Sequence, residues 1–267
     1  MEFVATDLDG TIVHPDGTVS PATVEALRAC ERAGVPVAIV TGRPPRWLPD
    51  AVTATGLDGV AICANGAVVY DWDTRRILQA WTIPLDVVRE TVETLRGVLT
   101  QVRVAVETTH GYRREPGYHA TFTDDDEPPR AQLEQILAGD LGDGIVKVLI
   151  RADGRGDQLW QVAQQHVGHL VQPTHSNSHD NLLELGPVGV SKAVTLARFV
   201  AEHGVAAPGV IAFGDQPNDI EMLRWAGVGV AMADGHPEAI AAADLVAPPL
   251  SQDGVAQVLR ARLRESG

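Results

Sequence analysis

Four short apolar runs, each ending in a residue with an oxygen or amide to offer, constrain this chain more than anything else in it. Phe3-Val-Ala runs into Asp7 and Asp9, and Val35 to Val40 runs into Thr41. Val60 to Cys63 runs into Asn65, and Val210-Ile-Ala-Phe213 runs into Asp215. Runs that stay apolar along their whole length, without the alternation of a half-exposed strand, fit strands buried on both faces. A helix signal separates the first two. Ser20-Pro21 supplies an N-cap and a proline at the first helical position, Val24, Leu27 and Cys30 follow at helical spacing, and Gly34 ends the helix. Such β-α-β alternation predicts an α/β core, a Rossmann-like doubly wound parallel sheet with helices on both faces. The turn His14-Pro-Asp-Gly17 between short apolar pairs predicts a small hairpin over Ile12 to Val19.

The pattern returns at the far end. Ser191 caps a helix with Ala193, Leu196, Ala197 and Val200 on one face. Strands are expected at Val228 to Ala231 and Leu245 to Ala247, with helices at Pro237 to Ala243 and Asp253 to Arg264. Between the halves the character changes. Strand-like stretches (Val102 to Val106, His119 to Thr123, Ile145 to Ile150) mix with helical ones (Leu85 to Leu95, Ala131 to Leu137, Gln158 to Val167), and Asp124 to Pro129 reads as a solvated loop. This predicts a discontinuous core, residues 1–82 and 188–267, interrupted by an inserted α+β domain at 83–187.

Charge narrows the partners. With 35 Asp+Glu against 21 Lys+Arg the net charge is −14, which disfavours nucleic acid and anionic membranes, since both need clustered cation. Cys30 and Cys63 stand far apart without a zinc-type pairing. No apolar run approaches the roughly 18–20 residues of a membrane span, and MEFVATDLDG lacks the basic-then-apolar layout of a signal peptide. A cytoplasmic monomer is the expectation. Lysine is rare, with only Lys147 and Lys192, and asparagine is limited to Asn65, Asn177, Asn181 and Asn218.

Ligands of an open parallel sheet bind outside the carboxyl ends of its strands. There this sequence puts Asp7, Asp9, Thr41, Asn65, Asp215, Asn218 and Asp219, with Lys192 at the start of a helix. Crowded carboxylates repel unless a hard cation neutralises them, and all-oxygen ligands favour Mg²⁺. Carboxylate-held Mg²⁺ beside a lysine suits phosphoryl groups. A calcium loop of the EF-hand type would want Asp or Asn at position 11 and Gly at 12, where the chain has Thr11 and Ile12. No GxxxxGK[ST] phosphate loop occurs.

DLDGT (Asp7 to Thr11), TGR (Thr41 to Arg43), the lysine at 192 and GDQPND (Gly214 to Asp219) resemble, in order, the four motifs of the haloacid dehalogenase (HAD) superfamily. The insertion between the second and third motifs resembles the C2-type cap of its Cof-like and sugar-phosphate phosphatases. Asn65-Gly66, Leu183 to Lys192 and Asp253-Gly254-Val255 match that subgroup too. The resemblance implies Mg²⁺-dependent hydrolysis of a small phosphorylated metabolite. Asp7 would be the nucleophile and Asp9 the acid and base; a strand continuing to Asp9 would put it on the face of Asp7. Thr41 and Lys192 would contact the phosphoryl oxygens, and Gly10 and Thr11 would turn main-chain N–H groups toward them. Mg²⁺ would sit between Asp7, the main-chain carbonyl of Asp9, and Asp215, with Asn218 and Asp219 orienting or completing the shell. Gly42 and Arg43 belong to the phosphate or substrate contacts, although Arg43 also suits a structural ion pair, and Asn65 suits either a substrate contact or a turn with Gly66.

The cap would close over this cup and exclude water. Arg113, Arg114, Lys147, His119, His175 and His179 are its candidate leaving-group contacts, each taken alone reading as a surface residue. A phosphomannomutase-like phosphosugar mutase shares the nucleophile and acid/base; a core that only binds a phosphorylated ligand would have no need of Asp7, Asp9, Lys192 and Asp215 together.

Overall fold

A computed structural model describes residues 1–57, 59–119, 130–174 and 181–265, with Asp50 described through its main chain alone. The first strand, β1 (Phe3–Thr6), is buried throughout. It leads to α1 (Pro21–Arg32), whose cap Ser20 accepts the Thr23 N–H at 3.1 Å. The segment expected as a hairpin is instead a tight loop with a single bridge between Asp9 and Val13. The reason is local. The Leu8 carbonyl gathers the N–H groups of Thr11, Ile12 and Val13, so donors that a ladder would need are consumed in a turn.

β2 (Val37–Val40), α2 (Leu48–Thr55) and β3 (Val60–Cys63) follow, then β4 (Val68–Asp71) and β5 (Arg76–Ala80). The inserted segment runs α3 (Leu85–Val98), β6 (Arg103–Thr108), β7 (Gly111–Arg114), α4 (Leu133–Leu137), β8 (Ile145–Arg151), α5 (Gly156–Val167), β9 (Gln172–Thr174) and β10 (Leu182–Gly186). The chain closes with α6 (Lys192–Glu202), β11 (Val210–Gly214), α7 (Ile220–Trp225), β12 (Val228–Met232), α8 (Pro237–Ala242), β13 (Leu245–Ala247) and α9 (Gly254–Glu265). Two compact units result, Met1–Gln79 with Ser191–Gly267, and Ala80–Val190.

The first unit holds an eight-stranded sheet in the order β13-β12-β11-β1-β2-β3-β4-β5. From β13 to β3 every pairing is parallel. β4 then pairs with β3 antiparallel, an extension that apolar run length did not announce. Only residues 64–67 separate the two strands, and a parallel return needs a crossover of a dozen or more residues. Phe3, Ala5, Ala38, Val40, Ile62 and Ala212 pack one face against Leu196 and Val200 of α6 and Met222 of α7. Val4, Ile39 and Ile211, alternating with these, are buried on the other face.

Among the described residues the second unit holds a five-stranded antiparallel sheet, β7-β6-β8-β10-β9. Val104, Val106, Val148, Ile150, Leu183 and Leu185 meet Val88, Val92 and Leu95 of α3 and Leu159 of α5 on one face. The alternating positions carry Ala105, Tyr112 and Leu149 together with the buried charges Glu107, Arg114, Lys147 and Glu184. Lys147 Nζ donates to Glu184 Oε1 at 2.6 Å. Lys147 is 2% exposed and Arg114 6%, so neither is the surface residue that it resembles when taken alone. His119 is exposed and lies in no strand; the rest of the strand expected to run to Thr123, the Asp124 to Pro129 loop, and His175 and His179 lie outside the described residues.

Candidate active site

Strands β11, β1, β2 and β3 are neighbours, and Asp215, Asp7, Thr41 and Asn65 follow their carboxyl ends. From β1 the chain moves to β2 and β3 on one side and returns with β11 on the other, so the site lies at the point where strand order reverses. The Asp7 N–H carries the ladder one residue further by donating to the Phe213 carbonyl at 3.0 Å.

Asp7, Asp215 and Asp219 are buried, and each presents a carboxylate oxygen within 4.8 Å of the others. Lys192, the first residue of α6, is 1% exposed. Its Nζ donates to Asp7 Oδ1 at 2.7 Å and to Asp219 Oδ1 at 2.6 Å. Asp219 Oδ2 accepts the main-chain N–H groups of Asp215 and Gln216. Asp215 is held by the Thr11 hydroxyl on Oδ1 (2.8 Å) and the Gln216 amide on Oδ2 (2.7 Å).

Three carboxylates against one ammonium leave an excess of negative charge. Burial pushes the Asp7 carboxyl well up; Lys192 pulls the other way, and the charges of Asp219, Asp215 and Asp9 add to the rise. Asp215 is pushed up to about 7, by burial first and then by the charge of Asp219. For Lys192, burial alone would lower the pKa, but Asp219 and Asp7 outweigh it and hold the ammonium charged.

Two glycines make this packing possible. At Gly10 (φ 81°) a Cβ would lie 2.4 Å from Asp215 Oδ2. At Gly66 (φ 105°) it would lie 2.3 Å from the Ser191 carbonyl oxygen, at the threshold of α6. The Thr195 hydroxyl donates to the Gly66 carbonyl at 2.8 Å, so the turn after β3 seats the helix that carries Lys192. Asn65 is also left-handed (φ 57°), and its Oδ1 accepts from the Asn218 amide at 3.1 Å. Thr41 is buried, with its hydroxyl accepting the Arg43 N–H across Gly42 at 3.1 Å.

Asp9 stands apart from the buried carboxylates. β1 ends at Thr6, so strand alternation stops short of Asp9 and the following turn sends its side chain outward, where it is 56% exposed. There Arg43 grips it with Nε on Oδ2 (2.7 Å) and Nη2 on Oδ1 (2.5 Å). Arg43 thus makes the ion pair that was one of its two readings, and its partner is the expected acid/base. Gln216 went without a role in the sequence, although it sits inside a recognised motif, and Gly66 was given only a turn with Asn65.

Mg²⁺ fits these residues. Three carboxylates, each on a buried residue, converge with net negative charge, and Asn218, the residue before Asp219, has a buried Oδ1 without a hydrogen-bond partner among the described residues. A hard cation with oxygen or water ligands satisfies both.

Fold and site define a class, and the family model for haloacid dehalogenase-like hydrolases matches residues 4–259. The chain belongs to that family. Among its relatives, pyridoxal phosphate phosphatase YbhA of Escherichia coli (strain K12) is 29% identical over 97% of this chain and 98% of its own. The 5-amino-6-(5-phospho-D-ribitylamino)uracil phosphatase YitU of Bacillus subtilis (strain 168) is 28% identical over 97% and 96%. A HAD-superfamily phosphatase structure from Bacteroides thetaiotaomicron superposes with a TM-score of 0.81 at 24% identity, covering 97% of this chain and 94% of that one. Among the described residues, no helix is long and apolar enough to cross a membrane.

Proposed function

We propose that this hydrolase is a Mg²⁺-dependent phosphatase that cleaves a small phosphorylated metabolite, a sugar phosphate or similar phosphomonoester, through an aspartyl-phosphate on Asp7. One observation carries the reading: the Asp7 carboxylate is held by a buried lysine inside a carboxylate group suited to a divalent ion. The relatives named for pyridoxal phosphate and for a phosphoribitylaminouracil support the substrate class. We take the working unit to be a cytoplasmic monomer.

In this scheme one Asp7 oxygen attacks phosphorus in line, and the bond from phosphorus to the ester oxygen breaks. Asp9 gives its proton to the departing alkoxide, then takes a proton from the water that attacks the aspartyl-phosphate. The bond from Asp7 to phosphorus breaks, which restores the carboxylate and releases inorganic phosphate. Lys192 and the Thr41 hydroxyl stabilise charge on the phosphoryl oxygens, aided by the turn at Gly10 and Thr11. Asp7, Asp215 and the main-chain carbonyl of Asp9 would hold the Mg²⁺, with Asp219 and Asn218 orienting or completing the set. When bound, the ion supplies positive charge that lets a carboxylate approach a phosphate.

A hydrolysis screen over phosphorylated metabolites tests this. Phosphate release from at least one compound, abolished by chelator and restored by Mg²⁺, is expected. No release from any compound by folded protein would overturn it. Transfer without net release, dependent on a sugar bisphosphate, would make the chain a phosphomutase.

A further inference from the structure

We infer that Arg43 is a latch on Asp9, opened by oxygens of the substrate's leaving group. The inference rests on the phosphatase reading above. Asp9 has to meet a leaving-group oxygen, yet each of its own oxygens accepts a guanidinium N–H. While that fork is closed, one lone pair of each oxygen is committed to the guanidinium and the carboxylate is held toward Arg43.

Which partner moves is decided by how each is held. Arg43 Nη1 donates to the Trp47 carbonyl at 3.2 Å. Its main chain is fixed at both ends, with its N–H on the Thr41 hydroxyl (3.1 Å) and its carbonyl accepting from Ala64 N–H (2.9 Å). The Asp9 side chain is 56% exposed against 22% for Arg43. The guanidinium is the fixed post, and the carboxylate swings on one or two side-chain torsions.

Release has a chemical condition. Once Asp9 leaves, two N–H groups of a pre-aimed planar fork lose a charged acceptor, and such forks select paired oxygens. A leaving group with hydroxyl, carboxylate or phosphate oxygens beside the ester can fill the fork, whereas a hydrocarbon chain cannot. Arg43 therefore couples freeing of the acid/base to the presence of an oxygen-rich leaving group. It acts as a positioning residue that also sets specificity.

The test compares butyl phosphate with glycerol 3-phosphate, similar in size and different in oxygen content, on wild type, Arg43→Ala and Arg43→Lys. Opening the latch in Arg43→Ala should raise kcat on butyl phosphate about threefold or more, while kcat/KM on glycerol 3-phosphate falls about tenfold, mainly through KM. Arg43→Lys, a cation that cannot fork, should fall between on both esters, and it carries the same comparison if Arg43→Ala fails to fold. In an Asp9→Asn background the gain on butyl phosphate should vanish, because the effect runs through Asp9. Parallel loss of kcat on both esters, or an unchanged preference between them, overturns the latch while leaving the phosphatase reading intact. A wild type inert toward every phosphate ester overturns that reading and the latch with it.

Discussion

Lys192 Nζ lies 2.7 Å from Oδ1 of Asp7, a residue 185 positions earlier in the chain. The same ammonium reaches Asp219 Oδ1 at 2.6 Å. A lysine at the first turn of a helix opposes the helix dipole, so this placement persists only because two buried carboxylates face it. Replacing Lys192 by Met should destabilise the metal-free protein by about 3–5 kcal/mol, since it strands buried charge. Urea unfolding measures this, and a loss below about 1 kcal/mol would show that the carboxylates do not depend on it.

Asp7→Asn has the opposite signature. Phosphate release should fall by about a thousandfold or more. Stability should hold or rise, because burial and neighbouring carboxylates already disfavour the Asp7 charge. Activity assays and thermal melts on one preparation separate the two effects. An unaffected rate would remove Asp7 as the nucleophile.

The acidic cluster predicts how pH and Mg²⁺ combine. Asp215 is pushed from its ordinary 3.8 up to about 7 in the folded chain, chiefly by burial. Between those values the folded protein keeps a proton that the unfolded chain has released, so this group's contribution to stability falls as pH rises from about 4 to about 7. Asp7 shifts in the same direction. Mg²⁺ requires the deprotonated carboxylates, so the rise in Tm on adding it should grow between about pH 5 and about pH 8. A Mg²⁺ effect that is flat with pH would rule out this coupling.

Gly66 should be far less replaceable than Gly189, a positive-φ glycine with open space around it. Gly66→Ala would drive a Cβ to 2.3 Å from the Ser191 carbonyl and should cost about 2 kcal/mol or more, together with activity, through the seat of Lys192. Gly189→Ala serves as the control, since its φ is 72° with nothing within 4 Å, and it should cost about 1 kcal/mol. Equal costs in paired chemical melts would mean that the close approach to α6 does not matter.

In the inserted unit, Lys147→Met should cost about 3–5 kcal/mol by removing the buried ammonium that donates to Glu184 Oε1. Adding Glu184→Gln should recover part of that. A double-mutant cycle on melting free energies reads the coupling, and strict additivity would dissolve the pair.

Much of the core was legible along the chain because its signals are local. An apolar run followed by Asp7, Thr41, Asn65 or Asp215 marks a buried strand and its carboxyl end within a few residues, and Ser20-Pro21 and Ser191 announce their helices. The antiparallel β4 was not legible, nor were α2 and the loop that replaced the expected hairpin, since neighbouring strands and competing turn hydrogen bonds decide them. Asp9 shows the boundary most sharply. Its spacing from Asp7 is written in the sequence, but its side chain answers to Arg43, 34 residues away.

By itself the sequence determined which chemical groups stand at the strand ends and in what order they come. Only the tertiary structure decided which of them share a charge. Lys192 with Asp7 and Asp219, Lys147 with Glu184, and Arg43 with Asp9 are pairings across strands and loops. Their energies depend on distances of a few ångströms and on exclusion of water, and neither exists until the sheets are closed.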